Sequence, residues 1–167
     1  LEVSKSFPAY HFIVAKAPGT DEAFYNQLVQ DYSNVSYVTN KTYDLLLQSK
    51  AALVTSGTAT LETALFNVPE VVCYKGSWLS YQIGRRLVKV KYISLVNLIM
   101  DKLVVKELIQ ADLTVEKLKS ELFSLLNNED RIGEIKKDYS LLKQMLHKDG
   151  NASAKAAASI LQFLSGK

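Results

Sequence analysis

The chain has 167 residues, of which 48% are hydrophobic, and its formal net charge at pH 7 is only +3. This length and composition suit one globular domain with a sizeable core, whereas so small a charge gives no reason to expect a nucleic-acid partner. The sequence has no apolar run long enough to cross a membrane, and its single cysteine, Cys73, excludes an internal disulfide and fits a reducing compartment.

Strand-like and helical segments alternate along the first hundred residues. The first predicted strand is followed by a helix capped by Asp21, and later apolar runs alternate with segments of helical periodicity. This alternation predicts an α/β fold, a doubly wound parallel sheet of the Rossmann-like kind. The predicted strands cover residues 11–17, 35–39, 51–55, 70–74 and 92–96.

After Asp101 the pattern predicts helices alone. A helix over 103–110 is followed by one capped by Thr114, by one with apolar residues from Ile132 to Leu146, and by an alanine-rich helix that starts at Asn151. Residues 103–167 are therefore expected to form a C-terminal helical segment.

The turn between the third predicted strand and its helix, Ser56-Gly57-Thr58, has the features of an anion site. Glycine lets the backbone approach a ligand closely, and the free N–H groups at a helix start favour a negative charge. The hydroxyls of Ser56, Thr58 and Thr60 add donors for phosphate oxygens. In parallel sheets, ligands bind outside the carboxyl ends of the strands, where this turn is expected.

Glu62 lies four residues after Thr58, and therefore on the same helix face one turn further in. A capping box would need the acid three residues after Ser56, and that position is Ala59. A carboxylate just behind a diphosphate site is placed to accept hydrogen bonds from ribose hydroxyls. From spacing alone, a nucleotide site is favoured only modestly over an ordinary strand–turn–helix.

Three residues at other strand ends are further candidates. Tyr74 and Lys75 end the fourth predicted strand and should face the same crevice, where Lys75 suits a phosphate and Tyr74 suits either a ligand contact or simple packing. Asn97 follows the fifth predicted strand. It is interpreted either as a contact to a sugar or diphosphate or as a plain turn residue.

A basic and aromatic segment precedes the fifth predicted strand. Runs of cations are usually solvated faces, but here apolar side chains come before them, a combination that suits acylated anionic substrates or an anionic membrane surface. The residues predicted to form this basic-aromatic surface are Trp78, Tyr81, Arg85, Arg86 and Lys89. His11 and His147 have no accompanying Cys or acidic pattern, so neither a metal site nor another cofactor is expected.

Four segments resemble one family, in the same order. The chain is similar to the lipid-A-disaccharide synthases, GT-B glycosyltransferases of outer-membrane biogenesis, in FPAYHFIVAKAPG (7–19), SGTATLETALFNVPEVVCYK (56–75), GRRLVKVKYISLVNLI (84–99) and LVVKELIQ (103–110). The SGTATLE block is shared by many GT-B enzymes, whereas its combination with the last two segments is more specific. The resemblance implies a UDP-sugar donor site at Ser56, Gly57, Thr58, Ala59, Thr60, Glu62, Tyr74, Lys75 and Asn97.

The implied reaction transfers diacylglucosamine, with inversion, from its UDP derivative to 2,3-diacylglucosamine 1-phosphate in lipid A and lipopolysaccharide biosynthesis. Its implied place is the cytoplasm, peripheral at the inner membrane face, and the implied leaving-group stabilisation needs no metal. A homo-oligomer is compatible with the resemblance. Residues 1–167 are expected to be a donor-binding domain without its first strand and without the N-terminal acceptor domain. Since the catalytic base belongs to that acceptor half, no catalytic residue is assigned and the chain alone is expected to be inactive.

Two other functions remain open. Another UDP-sugar GT-B enzyme, such as a UDP-N-acetylglucosamine 2-epimerase or a peptidoglycan glycosyltransferase, would share the turn and Glu62 but should not need an acyl-accepting surface. A non-enzymatic doubly wound nucleotide-binding module is the alternative from another class.

Overall fold

A computed structural model of the protein describes residues 1–77, 91–147 and 152–165. Short 3₁₀ helices lie at Glu2–Ser6 and Gln110–Asp112. The strands and α-helices of the described residues are, in chain order, β1 (Phe12–Lys16), α1 (Glu22–Val29), β2 (Val35–Thr39), α2 (Thr42–Gln48), β3 (Ala52–Thr55), α3 (Thr58–Leu65), β4 (Glu70–Tyr74), α4 (Leu95–Met100), β5 (Lys106–Ile109), α5 (Val115–Asn127), α6 (Glu129–His147) and α7 (Ala152–Ser165).

Every strand pair in the described residues is parallel. β1 pairs with β2, and a second sheet has the order β3-β4-β5. α1 connects β1 to β2 and α3 connects β3 to β4, as parallel pairing requires. The parallel strands and their helical connections confirm the predicted α/β fold with C-terminal helices.

β4 is the middle strand of the larger sheet and the most deeply buried one. Val71 and Val72 are fully buried between β3 on one side and β5 on the other. A strand covered on both faces and paired on both edges reads as a continuous apolar run, which is how residues 71–73 read in the sequence.

α6 packs its apolar face into the main core. Ile135, Tyr139 and Leu142 are each 0% exposed and recur every three or four residues, the spacing of one helix face. They share the main core with residues of α3, β4, α4 and β5. A second cluster, of Val3, Phe7 and Leu122, joins the N-terminal residues to α5.

α3 ends in a left-handed turn at Asn67. Asn67 adopts a left-handed backbone conformation with φ 62°, and its N–H donates to the Ala64 carbonyl while the Val68 N–H donates to the Thr63 carbonyl. This pair of bonds is the Schellman ending of a helix, in which Asn replaces the usual Gly. It turns the chain directly into β4. Because β3 and β4 are parallel, the start of α3, which follows β3, and the end of β4 lie at the same edge of the sheet.

The predicted strand at 92–96 is wrong, because these residues begin a helix. Ser94 is the N-cap of α4, and its hydroxyl accepts a hydrogen bond from the Asn97 N–H at 3.3 Å. The Glu107 carboxylate also accepts bonds from the N–H groups of Ile93 and Ser94, at 2.9 to 3.2 Å. A short apolar run does not distinguish strand from helix by periodicity, and here the caps decide.

The predicted helix at 103–110 is also wrong, because its centre forms β5. Lys106 to Ile109 pair with Val71 to Tyr74, and Leu108 becomes buried beside Cys73. The free edge of β4 provides hydrogen-bond partners that override the helical preference of Lys, Glu and Leu. The C-terminal part that consists of helices therefore begins at α5, and the expected helical segment 103–167 is corrected accordingly.

The sequence also predicts a helix over Trp78 to Val88, and this segment lies outside the described residues. None of the described helices is both long enough and apolar enough to cross a membrane.

Candidate functional site

The Ser56-Gly57-Thr58 turn lies where β3 ends and α3 begins. Gly57 has φ 128° and ψ −160°, a backbone conformation that residues with a side chain rarely adopt. A Cβ added there would meet no described atom within 4 Å, so the backbone and not crowding requires glycine. The same open space lets a ligand approach the main chain closely.

The start of α3 presents unused backbone donors. No side chain among the described residues caps this helix, whereas Asp21, Ser94 and Thr114 cap α1, α4 and α5. The first N–H groups, at exposed Thr58 and Ala59, therefore point out of the helix with the positive end of its dipole behind them. This arrangement attracts an anion.

Thr60 stabilises the turn from inside. Its hydroxyl donates to the Gly57 carbonyl at 2.8 Å, its N–H donates to the same oxygen at 3.2 Å, and the residue is fully buried. The Thr60 hydroxyl, which the sequence predicted to donate to a phosphate oxygen, thus donates within the turn instead. In this structure Thr60 shapes the turn, and the half-buried Ser56 and exposed Thr58 carry the hydroxyls nearest the open space.

Glu62 lies one turn after Thr58 on α3, as predicted. Its side chain is half-buried, and its carboxylate forms no ion pair with any residue that the structure describes. The carboxylate oxygens can thus accept hydrogen bonds from a ligand beside the anion-attracting turn.

The end of β4 lies next to this turn. Thr55 pairs with Cys73, so the next residues along, Ser56 and Tyr74, are neighbours at the carboxyl edge of the sheet. Tyr74 is 39% exposed and Lys75 is exposed, so an aromatic ring and a cation flank the helix start. Burial raises the pKa of the Cys73 thiol to about 11, which keeps the residue beneath them neutral.

Asn97 has a structural position that the sequence analysis missed. It is fully buried in α4, its Oδ1 accepts the N–H groups of Val104 and Val105 at 2.8 and 3.0 Å, and its Nδ2 donates to the Val105 carbonyl and to Glu107. Both donors and both acceptor positions of its side-chain amide are thus used in hydrogen bonds inside the protein. We therefore leave Asn97 out of the proposed ligand site.

Two residues of the β5 region were not singled out from the sequence. Glu107 binds the residues that precede α4, and Gln110, directly after β5, donates from Nε2 to the Gly76 carbonyl at 3.2 Å. Both lie in the segment that was interpreted as a helix, where neither contact is expected. No local sequence signal marks them, since the contacts join residues 13 to 34 positions apart.

The predicted basic-aromatic surface, Trp78, Tyr81, Arg85, Arg86 and Lys89, lies outside the described residues. The first described residue after it, Lys91, forms an ion pair with Asp101 at 3.2 Å. Among the described residues, no group of three or more His, Cys, Asp or Glu side chains is arranged to hold a metal ion.

Comparison with known proteins identifies the family. The family model described as lipid-A-disaccharide synthetase matches residues 1–162, nearly the whole chain and the entire site region. The chain belongs to the lipid-A-disaccharide synthetase family. Curated lipid-A-disaccharide synthases support this: that of Syntrophus aciditrophicus is 38% identical over 89% of the chain, and that of Psychromonas ingrahamii is 35% identical over 99% of it.

The chain covers only part of such a synthase. The alignments include 39% of the Syntrophus protein, 43% of the Psychromonas protein and 40% of a third relative, from Hahella chejuensis, which is 36% identical. The chain therefore spans less than half the length of the curated relatives that it matches.

Proposed function

We propose that this chain is the donor-binding part of a lipid-A-disaccharide synthase. It binds the UDP of a UDP-activated diacylglucosamine, and the complete enzyme transfers the sugar, with inversion, to 2,3-diacylglucosamine 1-phosphate. The observation that carries the proposal is the family match over residues 1–162, because it includes a helix start that offers unused donors at the carboxyl edge of a parallel sheet.

The diphosphate is the group that this edge suits best. The N–H groups of Thr58 and Ala59 and the dipole of α3 stabilise negative charge, and the exposed Lys75 follows the end of β4 at the same edge of the sheet. During transfer, charge develops on the leaving UDP. Donors that are already oriented toward that position stabilise the transition state without reorganisation.

Glu62 is proposed to bind the ribose. A ribose attached to a diphosphate at the helix start reaches one turn further along α3, where the half-buried Glu62 carboxylate lies. Its free acceptor sites match two ribose hydroxyl donors. Tyr74 at the adjacent strand end supplies an apolar ring face beside the same space.

The catalytic base and the acceptor site are proposed to lie in the remainder of the enzyme. Both substrates carry acyl chains, so the reaction is proposed to occur at the inner face of the cytoplasmic membrane with the protein bound peripherally. The isolated 167-residue chain mixed with both substrates should therefore yield no disaccharide. Formation of product would contradict the proposal that the base and the acceptor site lie elsewhere.

Titration with UDP tests the donor site. In the full-length protein, Glu62→Ala should weaken UDP binding by about 10- to 150-fold, the effect of losing hydrogen bonds to a charged acceptor. Glu116→Ala, at an exposed position in the first turn of α5, is the matched control and should leave the affinity unchanged. Equal UDP affinity in the wild type and Glu62→Ala would remove the ribose role.

Acyl dependence separates the synthase from other UDP-sugar enzymes. The full-length protein should transfer sugar from the diacylated UDP donor and not from UDP-N-acetylglucosamine. Transfer or epimerisation of the unacylated donor would instead support another GT-B enzyme.

A further inference from the structure

Gln110 occupies an unusual backbone position at the carboxyl edge of the sheet. It directly follows β5 and has φ 52°, in the left-handed region, although it is neither Gly nor Asn. Such a conformation is unfavourable for a residue with a long side chain, and Gly would adopt it without that cost. Glutamine at this position therefore costs backbone energy that glycine would not, so its side chain is expected to have a role.

The Gln110 side chain contacts the chain just beyond β4. Its Nε2 donates to the Gly76 carbonyl at 3.2 Å. Because Tyr74 pairs with Ile109, the residues that follow each strand, Lys75 and Gln110, are level with each other. This bond thus extends the β4–β5 pairing, which ends at Tyr74, to the residues directly after β4.

Gly76 is itself closely packed against Tyr74. A Cβ built on Gly76 would lie 3.0 Å from the Tyr74 hydroxyl oxygen and 3.4 Å from Cζ, so the tyrosine ring lies alongside the glycine. A hydrogen bond that holds the Gly76 carbonyl therefore restrains the residue against which the Tyr74 ring packs. It also restrains Lys75, which lies between the two. Ser56 of the α3 start is the neighbour of Tyr74 on the other side.

We propose that Gln110 is a positioning residue of the donor site. By holding the Gly76 carbonyl, it keeps the Lys75 cation and the Tyr74 ring in place beside the diphosphate that the Ser56-Gly57-Thr58 turn receives. This inference rests on the proposed function for the identity of the ligand. The contact itself lies at an exposed edge outside the core, where a single hydrogen bond adds little to stability, so its value lies in the geometry that it imposes.

Two substitutions in the full-length protein separate this role from a structural one. Gln110→Glu keeps the size of the side chain, but its carboxylate accepts hydrogen bonds and cannot donate one to the Gly76 carbonyl. Gln110→Gly removes the side chain and relieves the unfavourable backbone, so its melting temperature should equal or exceed that of the wild type. Gln48→Glu is the matched control, since Gln48 Nε2 donates to the Asp44 carbonyl at 3.0 Å in α2, away from the carboxyl edge.

Hydrogen exchange and UDP titration give two independent measurements. Without ligand, both Gln110 variants should exchange faster than the wild type in the peptide that covers residues 74–77, and Gln48→Glu should not. The UDP dissociation constant should rise about 3- to 10-fold in both Gln110 variants, as expected for the loss of one neutral hydrogen bond.

The outcomes are distinguishable. Unchanged exchange at residues 74–77 in Gln110→Glu would overturn the positioning role, whether or not UDP binds. Faster exchange there with an unchanged UDP affinity would overturn the link to the donor site. A lower melting temperature of Gln110→Gly with faster exchange throughout the domain would make the residue structural. A wild-type protein that does not bind UDP would overturn the proposed function and, with it, the donor-site part of this inference.

Discussion

Asn97 Nδ2 lies 2.9 Å from Glu107 Oε1, and this bond joins the helix α4 to the strand β5. The same Asn97 amide also bonds the backbone of Val104 and Val105, which directly precede that strand. A buried amide that satisfies three backbone groups replaces the ladder bonds which the connection itself lacks. Asn97 thus makes more bonds to the α4–β5 connection than either Glu107 or Arg131, whose side chains also contact this region.

Asn97→Ala should therefore destabilise the protein. The substitution removes the Asn97 bonds to the Val105 N–H and carbonyl and to the Val104 N–H, which keeps only its bond to the Lys102 carbonyl, and we expect a loss of about 2–5 kcal/mol in the free energy of unfolding measured in urea. Asn127→Ala is the control, because its amide donates to the Phe123 carbonyl at an exposed site. A loss as small in Asn97→Ala as in Asn127→Ala would contradict the structural role.

Glu70 predicts a pH dependence of stability. Its side chain is 0% exposed, and neither carboxylate oxygen has a hydrogen-bond partner among the described residues. Burial raises the pKa of this carboxyl from its ordinary 4.5 to about 9. Between those two pH values the folded protein keeps a proton that the unfolded chain has released, so stability falls as pH rises, by up to about 1.4 kcal/mol per pH unit.

Glu70→Gln should remove this slope. We expect the variant to be more stable than the wild type at pH 8 and nearly equal to it at pH 4.5, as measured by urea unfolding across that range. Glu107→Gln is the opposite control, because the Glu107 carboxylate accepts backbone N–H groups and its substitution should lower stability. Parallel pH profiles for Glu70→Gln and the wild type would show that Glu70 is ionised in the folded protein.

Gly57→Ala should cost stability for a purely backbone reason. Its φ of 128° and ψ of −160° lie in a region that only glycine adopts readily, although the space beside it is open. We expect a loss of about 1–3 kcal/mol and a weaker affinity for UDP. Gly133→Ala, within α6 and also without a described atom within 4 Å of the added Cβ, should instead stabilise the protein by about 0.5–1 kcal/mol. Equal effects of the two substitutions on stability would show that the backbone conformation at Gly57 does not require glycine.

The free edges of β1 and β3 allow the proposed additional strand to be tested. Within the described residues β1 pairs only with β2 and β3 only with β4, and Ile13 and Leu53 are each 39% exposed. If the longer protein adds a strand to either edge, amides of residues 12–16 or 52–55 should exchange more slowly there than in the 167-residue chain. Identical protection in the two proteins would rule that strand out.

Local signals explain what the sequence predicted correctly. Gly57 stands at a backbone position that its residue type favours, so the sequence predicts the turn before α3 correctly. The apolar face of α6 repeats often enough to define a helix. By contrast, β5 has four residues, and its formation depends on the edge of β4, which lies more than thirty residues earlier. The left-handed Gln110 and the buried amide of Asn97 likewise depend on distant partners, so no local pattern predicts them.

The β5 region holds the chain at two separated points. Gln110 binds Gly76 on one side of residues 78–90, and Glu107 binds Ile93 and Ser94 on the other. Gly76 on one side, and Ile93 and Ser94 on the other, are thus bonded to the same four residues, 107–110, so one short piece of chain fixes both points at once.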